Sequence, residues 1–129
     1  MPTLNEKQAK LLLDTNLAVV ATIRPDGTPQ LTPTWVDWDG KHVLINTAEG
    51  RYKPKYLSRD PRVGVFVLDR NDPYNWVSIT GRAELTHEGA EEHIHKLSHK
   101  YNDRDYDAPK DPQRILVKIT PERVHSAGG

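Results

Sequence analysis

Five positively charged side chains lie within the segment 51–62 of a chain whose formal net charge is zero; they are Arg51, Lys53, Lys55, Arg59 and Arg62. Arg51 and Lys55 are four residues apart, so on a helix their like charges would repel, and a bound anion would relieve that repulsion. Because the segment follows a predicted strand, free N–H groups at the helix start could also face a phosphate or carboxylate. The pattern fits an anion site and, equally, a solvated basic surface.

Polar side chains beside tryptophans form a second pattern. The segment 30–35 is QLTPTW, and Asn46 and Thr47 end the strand predicted next to it. Hydroxyl and amide groups near an indole can bind the edge of a flat heterocycle while its face packs on apolar atoms. Trp76, which follows Tyr74 and Asn75, is either another ligand contact or an anchor in the core or in a subunit interface. Thr and Trp are also common in strands without any ligand.

Metal and nucleophile chemistry have weaker support. His95 and His99 have the i,i+4 spacing that can bind zinc on a helix. They lie among Glu, Lys and Ser, without an HExxH motif or an evident third ligand, so the sequence predicts no metal site. No GxSxG, P-loop or GxGxxG motif occurs, which argues against serine hydrolases, nucleoside triphosphatases and Rossmann folds.

The overall composition excludes several other classes. Eighteen basic and 18 acidic residues create no global field that would attract nucleic acid or an anionic membrane. The absence of cysteine excludes disulfides, thiol catalysis and cysteine-bound metal centres. The first residues do not resemble a signal peptide, and no apolar run approaches the ~20 residues that span a bilayer. We therefore expect a cytoplasmic protein.

Hydrophobic periodicity and turn residues define the predicted elements. Thr3 and Glu6 have capping-box spacing for a first helix, and Thr86 is a candidate cap for the third, whose apolar positions face one side. Pro25-Asp26-Gly27 and Asp39-Gly40 predict tight turns, so the first three strands should form an antiparallel meander. The predicted strands span 17–23, 29–37, 42–46, 62–69, 76–86 and 115–124, with helices near 3–16, 51–59 and 87–101.

This order predicts a mainly β (α+β) fold. Six antiparallel strands joined by short turns favour a barrel or strongly bent sheet, flanked by short helices. The 129 residues correspond to a single domain, 1–129. Only 36% of the residues are hydrophobic, which suggests a core completed by a second subunit.

Three segments together resemble the split β-barrel proteins related to pyridoxamine-phosphate oxidase, and most closely the branch that uses the deazaflavin coenzyme F420. They are LAVVATIRPDGTPQLTPTWVDWDGKHVLINT, RYKPKYLSRDPRVGVFV and WVSITGRAEL. The A-T-x-x-x-D-G-x-P hairpin, the R-x-K helix and the R-D-P-R lead into a strand are jointly specific. The likeness extends from Leu17 to about Val124.

The resemblance implies a six-stranded split barrel, an obligate homodimer and cofactors at the subunit interface. It also assigns roles to twelve positions. The flavin-like ring would contact Gln30, Leu31, Thr32 and Pro33. The ribityl and phosphate region would contact Asn46, Thr47, Arg51 and Lys53, with help from Lys55. The groove would be closed by Tyr74, Asn75 and Trp76.

By the same resemblance, the protein is expected to transfer a hydride between C5 of reduced F420 and a small unsaturated substrate. No catalytic side chain is assigned, since the proton donor could be solvent, Thr34 or another group. Two alternatives stay open: an FMN-binding oxidase or reductase of the same fold, and a non-catalytic flavin or haem carrier. Basic residues confined to one segment disfavour a nucleic-acid-binding barrel.

Overall fold

The computed structural model describes residues 2–107 and 112–127. These residues form three helices and seven strands. The helices are α1 (Glu6–Leu13), α2 (Tyr52–Arg59) and α3 (Ala90–Asn102). The strands are β1 (Ala18–Ile23), β2 (Pro29–Thr34), β3 (Asp37–Trp38), β4 (Val43–Ala48), β5 (Arg62–Asp69), β6 (Asp72–Thr86) and β7 (Arg114–Ser126).

All seven strands belong to one curled antiparallel sheet with the order β2-β1-β5-β6-β7-β4-β3. The two long strands, β6 and β7, form the centre of the sheet, and β6 pairs with β5 along its other edge. Strand β2 lies at one end of the sheet and contains Pro29 and Pro33, which an edge strand tolerates because its outer N–H groups have no ladder partner.

The core lies on the concave side of this sheet. Residues alternate along β1 and β5, so that Val20, Val65 and Val67 point inward and are almost fully buried. Leu12 of α1 and Leu57 of α2 pack against the same cluster. Hydrophobic burial of these side chains is the main force that holds the two helices on the sheet.

Helix α3 packs on the opposite face of β4 and β7. A second apolar cluster, which consists of Leu44, Ala90 and Leu116, joins the helix to these strands. Every residue of β4 is therefore buried, because one face contacts the main core and the other faces α3. This arrangement explains why β4 is apolar along its length without strict alternation.

The strand predicted at 29–37 was wrong in its length, and the meander prediction was wrong in its pairing. The chain bends at Trp35 and Val36, which separates β2 from the two-residue β3 and brings the strand count to seven instead of six. Strand β4 pairs with β7 and with β3 but not with β2. The predicted β1–β2 hairpin is confirmed, with Gly27 at φ 87° in its turn.

The bend is stable because α3 supplies the hydrogen bonds that a continuous strand would otherwise provide. The backbone N–H of Val36 donates to the hydroxyl of Tyr101 at 3.2 Å, and Lys100 Nζ donates to the Val36 carbonyl at 2.6 Å. A buried backbone needs such partners. The interruption depends on a tertiary contact that lies about 65 positions along the chain, so local turn signals could not reveal it.

Both predicted helix caps were also misplaced. Helix α1 is capped by Asn5, whose side chain and that of Gln8 form a capping box, and not by Thr3. Helix α3 begins after Gly89, at φ 76°, whereas Thr86 accepts a hydrogen bond from the Glu88 N–H in the preceding turn. Among the described residues, no helix is long and apolar enough to cross a bilayer.

Candidate functional site

A cavity of about 290 Å³, called here the α3 cavity, opens between α3, the bend after β2 and the strands β4 and β7. Its walls are mostly apolar and aromatic, with two arginines. They comprise Leu17, Pro33, Thr34, Trp35, Asn46, Arg51, Ile94, Leu97, Tyr106 and Arg114. An apolar pocket with a few polar groups is the usual form of a site for a small organic molecule.

An aromatic cluster forms one wall of the α3 cavity. The indole of Trp35 stacks on Tyr101 at a centroid distance of 5.4 Å and meets the edge of Tyr106 at 6.3 Å. Since Tyr101 also holds the bend at Val36, the orientation of Trp35 is set by α3. A planar ligand could pack against this rigid aromatic surface.

A second cavity, the α2 cavity, lies on the other side of Arg51 and has a volume of about 580 Å³. Its lining is more polar and includes Gly50, Arg51, Lys55 and His87. Glu49 also borders this cavity, and its Oε1 lies 2.7 Å from Nε2 of His87. Because Arg51 lines both cavities, the two spaces adjoin at this side chain.

Arg51 is also the N-cap residue of α2, and its side chain makes no capping hydrogen bond. The first N–H groups of an eight-residue helix therefore lie beside the arginine. Helix α2 carries no acidic residue in its first turn. The local charge and the helix dipole both favour an anion at this point.

Asn46 and Arg114 form a buried polar pair inside the α3 cavity. Arg114 Nε donates to Asn46 Oδ1 at 2.9 Å, and Asn46 Nδ2 donates to the Ala90 carbonyl at 2.8 Å. The guanidinium lies over the ring of Tyr106 at 5.1 Å. Both partners are more than nine-tenths buried, so their geometry is fixed by packing as well as by hydrogen bonds.

Burial and mutual repulsion both disfavour the charged forms of the basic side chains in this region. Burial lowers the pKa of Lys53 from its ordinary value, and the positive charge of Arg51 lowers this pKa further. Burial likewise lowers the pKa of Arg114. Within residues 2–107 and 112–127, Arg51, Lys53 and Lys55 form no salt bridge. An anion at this place would offset the repulsion.

The four residues predicted along the ring alternate between the two faces of β2. Leu31, which is 65% exposed, and Pro33 lie on the outer face. Gln30 and Thr32 lie on the face towards Thr22 and Val20, and the Thr32 hydroxyl is buried without a hydrogen-bond partner among the described residues. Only Pro33 of the four lines the α3 cavity.

The other predicted residues also divide into groups. Asn46 and Arg51 line the α3 cavity, and Lys55 lines the α2 cavity with Arg51. Thr47 is buried on the face of β4 opposite Asn46 and lines neither cavity. Lys53 is half-buried and close enough to Arg51 to be affected by its charge, but it also lines neither cavity.

Tyr74, Asn75 and Trp76 do not join either cavity within one chain. They belong to the first part of β6, where Asn75 and Trp76 border a small depression with Gln8 and Leu11. Tyr74 is 83% exposed. The ring of Trp76 packs on Phe66 at 5.7 Å, which places it on the outer face of the sheet.

The sequence reasoning missed Arg114, Tyr106 and Leu17. Arg114 is the first residue of β7, and a single arginine directly after a predicted loop rich in Asp and Pro carried no signal. His95 and His99, the pair with zinc-binding spacing, make hydrogen bonds to nearby residues instead. His95 Nδ1 accepts a hydrogen bond from the Tyr106 N–H, and His99 Nε2 lies 2.6 Å from Asp105 Oδ1. Among the described residues, no group of three or more potential ligands is placed to hold a metal ion.

Residues 4–127 match the family model described as pyridoxamine 5'-phosphate oxidase. The chain belongs to this family. The family and split-barrel fold expected from the sequence are thereby confirmed, although the domain boundaries remain a prediction.

Similar proteins of this family include reductases named for coenzyme F420. The F420H(2)-dependent biliverdin reductase of Mycobacterium tuberculosis (strain CDC 1551 / Oshkosh) is 25% identical over 122 residues, which cover 94% of this chain and 86% of that protein. A solved F420 reductase structure is 26% identical, with a TM-score of 0.84 over 95% of this chain and 98% of its own.

A third similar structure shows the same fold with less sequence identity. HupZ of Group A Streptococcus, solved as a tagged protein, is 22% identical, with a TM-score of 0.75 over 98% of this chain and 97% of its own. At this identity the likeness concerns the fold alone.

Proposed function

We propose that this protein is an F420-dependent oxidoreductase that acts on a small unsaturated organic substrate. The observation that carries the proposal is the pair of adjoining cavities that share Arg51, one walled by aromatic and apolar side chains and the other basic. A deazaflavin cofactor combines a flat ring with a phosphodiester and an anionic tail, and the two cavities offer a matching environment in the same order. The names of the two F420-using relatives support this choice.

The donor set fits such a cofactor. Pro33 and Trp35 would pack against the ring, and the backbone of the edge strand β2 would bind its polar rim. Arg51, Lys53 and the N-terminus of α2 would hold the phosphate, and Lys55 would face the anionic tail.

When bound, the cofactor supplies a hydride from C5 of its reduced ring. The protein's part is to position the ring and to exclude water from it. Leu17, Ile94 and Leu97 provide the apolar surface for that purpose. Thr34 also lines the α3 cavity, so its hydroxyl stays a candidate proton donor to a substrate there, beside solvent or another group.

The same proposal includes a homodimer formed through the outer face of β1, β5 and β6. Val19 pairs with Phe66 across the strands, and Leu68 pairs with Trp76. Val19, Phe66 and Leu68 are exposed apolar side chains on this face, and Leu31 extends it onto β2. Contiguous exposed apolar surface of this kind usually marks an interface.

A second copy on this face would explain the position of Tyr74, Asn75 and Trp76. These residues border the outer face in one chain and lie apart from its own cavities. In a dimer they would approach the partner's groove and close it, which is the role that the family resemblance implies.

FMN is the second candidate cofactor, because the family model is named for an oxidase of the flavin-binding fold. FMN also carries a flat ring and a phosphate, but no oligoglutamate tail. The position of Lys55 beside Arg51 in the larger, basic cavity favours the longer anionic cofactor.

The test is a titration of the purified protein with F420 and, separately, with FMN, followed by tryptophan fluorescence. Trp35 lines the α3 cavity and should report binding there. We expect tight binding of F420 and weaker binding of FMN. The reverse preference would assign the protein to the FMN-binding members, and binding of neither would overturn the cofactor proposal.

The double variant Arg51→Ala/Lys53→Ala checks the phosphate site. It should weaken F420 binding by roughly 2–4 kcal/mol because two charge-assisted contacts are lost. The control is Lys41→Ala/Arg82→Ala, which removes two exposed positive charges outside the basic segment 51–62 and outside both cavities. If both double variants bind F420 with equal affinity, the basic segment is a solvated surface and not a phosphate site.

A further inference from the structure

Arg114 is a buried cation that forms no salt bridge within the described part of the chain. Its side chain lies in the α3 cavity, and the residue is only 6% exposed. Within residues 2–107 and 112–127, no Asp or Glu forms a salt bridge with it. Burial of an unpaired charge is expensive, so a residue in this state needs either a compensating ligand or a strong structural reason.

Within the described residues, the side chains that contact the Arg114 guanidinium are those of Asn46 and Tyr106. Nε donates to Asn46 Oδ1 at 2.9 Å, and the ring of Tyr106 lies against the guanidinium plane. Asn46 cannot turn away easily, because its amide nitrogen donates to the Ala90 carbonyl. The fork is thus oriented in advance, as bidentate recognition of a planar anion requires.

The surroundings of Arg114 specify the remainder of the ligand. Leu17, Ile94 and Leu97 contribute aliphatic surface to the cavity, and Trp35 contributes an aromatic face. A fully hydrated inorganic anion would gain nothing from these walls. A flat conjugated molecule with one acidic group would use both the apolar surface and the guanidinium.

The electrostatics point in the same direction. Burial lowers the pKa of Arg114, and the charge of Arg51 on the same cavity lowers it further, whereas Tyr106 and Glu91 act in the opposite direction. Two neighbouring guanidinium groups in a partly dry space would each be stabilised by a bound anion.

We propose that Arg114 is the anion anchor of the α3 cavity, which binds planar conjugated molecules that carry an acidic group. The acidic group belongs either to the substrate, as a carboxylate, or to the cofactor, as an anionic edge of its ring. The inference rests on the proposed function for the identity of the natural ligand. Its first test does not, because it uses a probe and the protein without cofactor.

The first experiment compares 2-naphthoate with methyl 2-naphthoate by isothermal titration calorimetry at neutral pH. The two probes share the same ring system, and only the first carries a charge. The acid should bind roughly tenfold to a hundredfold more tightly than the ester, the range expected for a hydrogen bond to a charged group. Equal binding of acid and ester by the wild-type protein would overturn the proposal.

Two variants then locate the anion. Arg114→Gln should abolish the preference for the acid, so that the acid and the ester bind this variant with similar affinity. Arg114→Lys should keep part of the preference, because it retains the charge but loses the planar fork. The control is Arg82→Gln, an exposed arginine that contacts Glu122 at 3.4 Å and lies outside the cavity.

Circular dichroism and thermal unfolding establish that each variant is folded. A folded Arg114→Gln protein that still prefers the acid would contradict the assignment. If Arg114→Gln does not fold, the affinities for acid and ester are compared between Arg114→Lys and the wild type. An Arg114→Lys protein that prefers the acid as strongly as the wild type does would contradict a bidentate contact.

A final titration with saturating F420 distinguishes the two sources of the acidic group. Loss of 2-naphthoate binding would assign Arg114 to the ring of the cofactor. Simultaneous binding would assign it to a substrate that carries a carboxylate. Failure of F420 to bind at all would refute the proposed function, while the probe comparison without cofactor would still test Arg114.

Discussion

Lys100 and Tyr101 act together on the bend that shapes the α3 cavity. Lys100 Nζ donates to the carbonyls of Leu12 and Val36 at 2.5 and 2.6 Å, and the Tyr101 hydroxyl donates to the Asn16 carbonyl at 2.5 Å. These contacts join α3 to the end of α1 and to the bend after β2. Two long side chains of one helix thereby fix the positions of segments that line the site.

The burial of Lys100 leads to a prediction about how the stability of the protein depends on pH. Burial lowers the pKa of Lys100 from 10.5 to about 8, although the negative charge of Asp37 acts to raise this pKa. Between these two values the unfolded chain binds more protons than the folded chain, so this group's contribution to stability rises with pH. After allowance for solvent screening, the gain should be on the order of 1 kcal/mol.

The measurement is the free energy of unfolding of the wild type and of Lys100→Met between pH 8 and pH 10. Burial raises the pKa of Tyr101 from 10.0 to about 12, so its titration in the unfolded chain begins near the upper limit, but this contribution is common to both proteins and cancels in their difference. The difference between wild type and variant should increase with pH. Lys41→Met, at an exposed lysine, serves as the control for loss of a lysine, and wild-type and Lys100→Met curves that run parallel would contradict the prediction.

At the scale of elements, Gly81 lets the backbones of the paired strands β6 and β7 approach each other closely. The register of this pair shifts between Thr80 and Gly81, and Gly81 lies against the backbone of Thr120 and Pro121. A Cβ at position 81 would overlap the Thr120 carbonyl oxygen. The close approach lets the two longest strands curl, while residues 116–119 of β7 pair with β6 on one side and with β4 on the other.

Gly81→Ala should therefore destabilise the protein by roughly 2–4 kcal/mol, because backbone atoms and not a flexible side chain must move. Chemical denaturation at constant protein concentration measures the effect. Gly64→Ala is the matched control on the neighbouring strand, where the new Cβ would meet Ala21 Cβ at an ordinary 3.5 Å. Similar losses of stability in both variants would show that the bulge is not the reason for the glycine.

Much of the element order was predictable, since local signals were strong at turns and in alternating strands. The proline and glycine of the first hairpin and the Pro54 in the first turn of α2 behaved as their chemistry predicts. The break at Val36 was not predictable, because its cause is a pair of hydrogen bonds from α3. The same is true of Asn46, whose buried amide depends on Ala90 and Arg114.

At the scale of the whole molecule, the proposed dimer has a direct test. Phe66→Lys places a charge at the centre of the outer apolar face, beside Val19 and Trp76. Desolvation of an unpaired charge should shift the protein from dimer to monomer in analytical ultracentrifugation. Leu13→Lys is the control, since Leu13 is a comparably exposed leucine on α1. A monomeric wild type would reject this interface, and an undisturbed Phe66→Lys dimer would move it to another face.

The sequence by itself determined the mainly antiparallel β architecture, the positions of most turns, the basic segment at α2 and the family. These features depend on periodicity, turn chemistry and residues close together in the chain. The family resemblance had already grouped Pro33, Asn46 and Arg51 at one site. Tertiary structure alone decided that Arg114 joins them in one cavity, that Leu31 and Thr32 face opposite ways, and that Tyr74 and Trp76 lie elsewhere in one chain. The physical reason is that each of these placements depends on strand pairings and helix packing between distant segments, which no local pattern encodes.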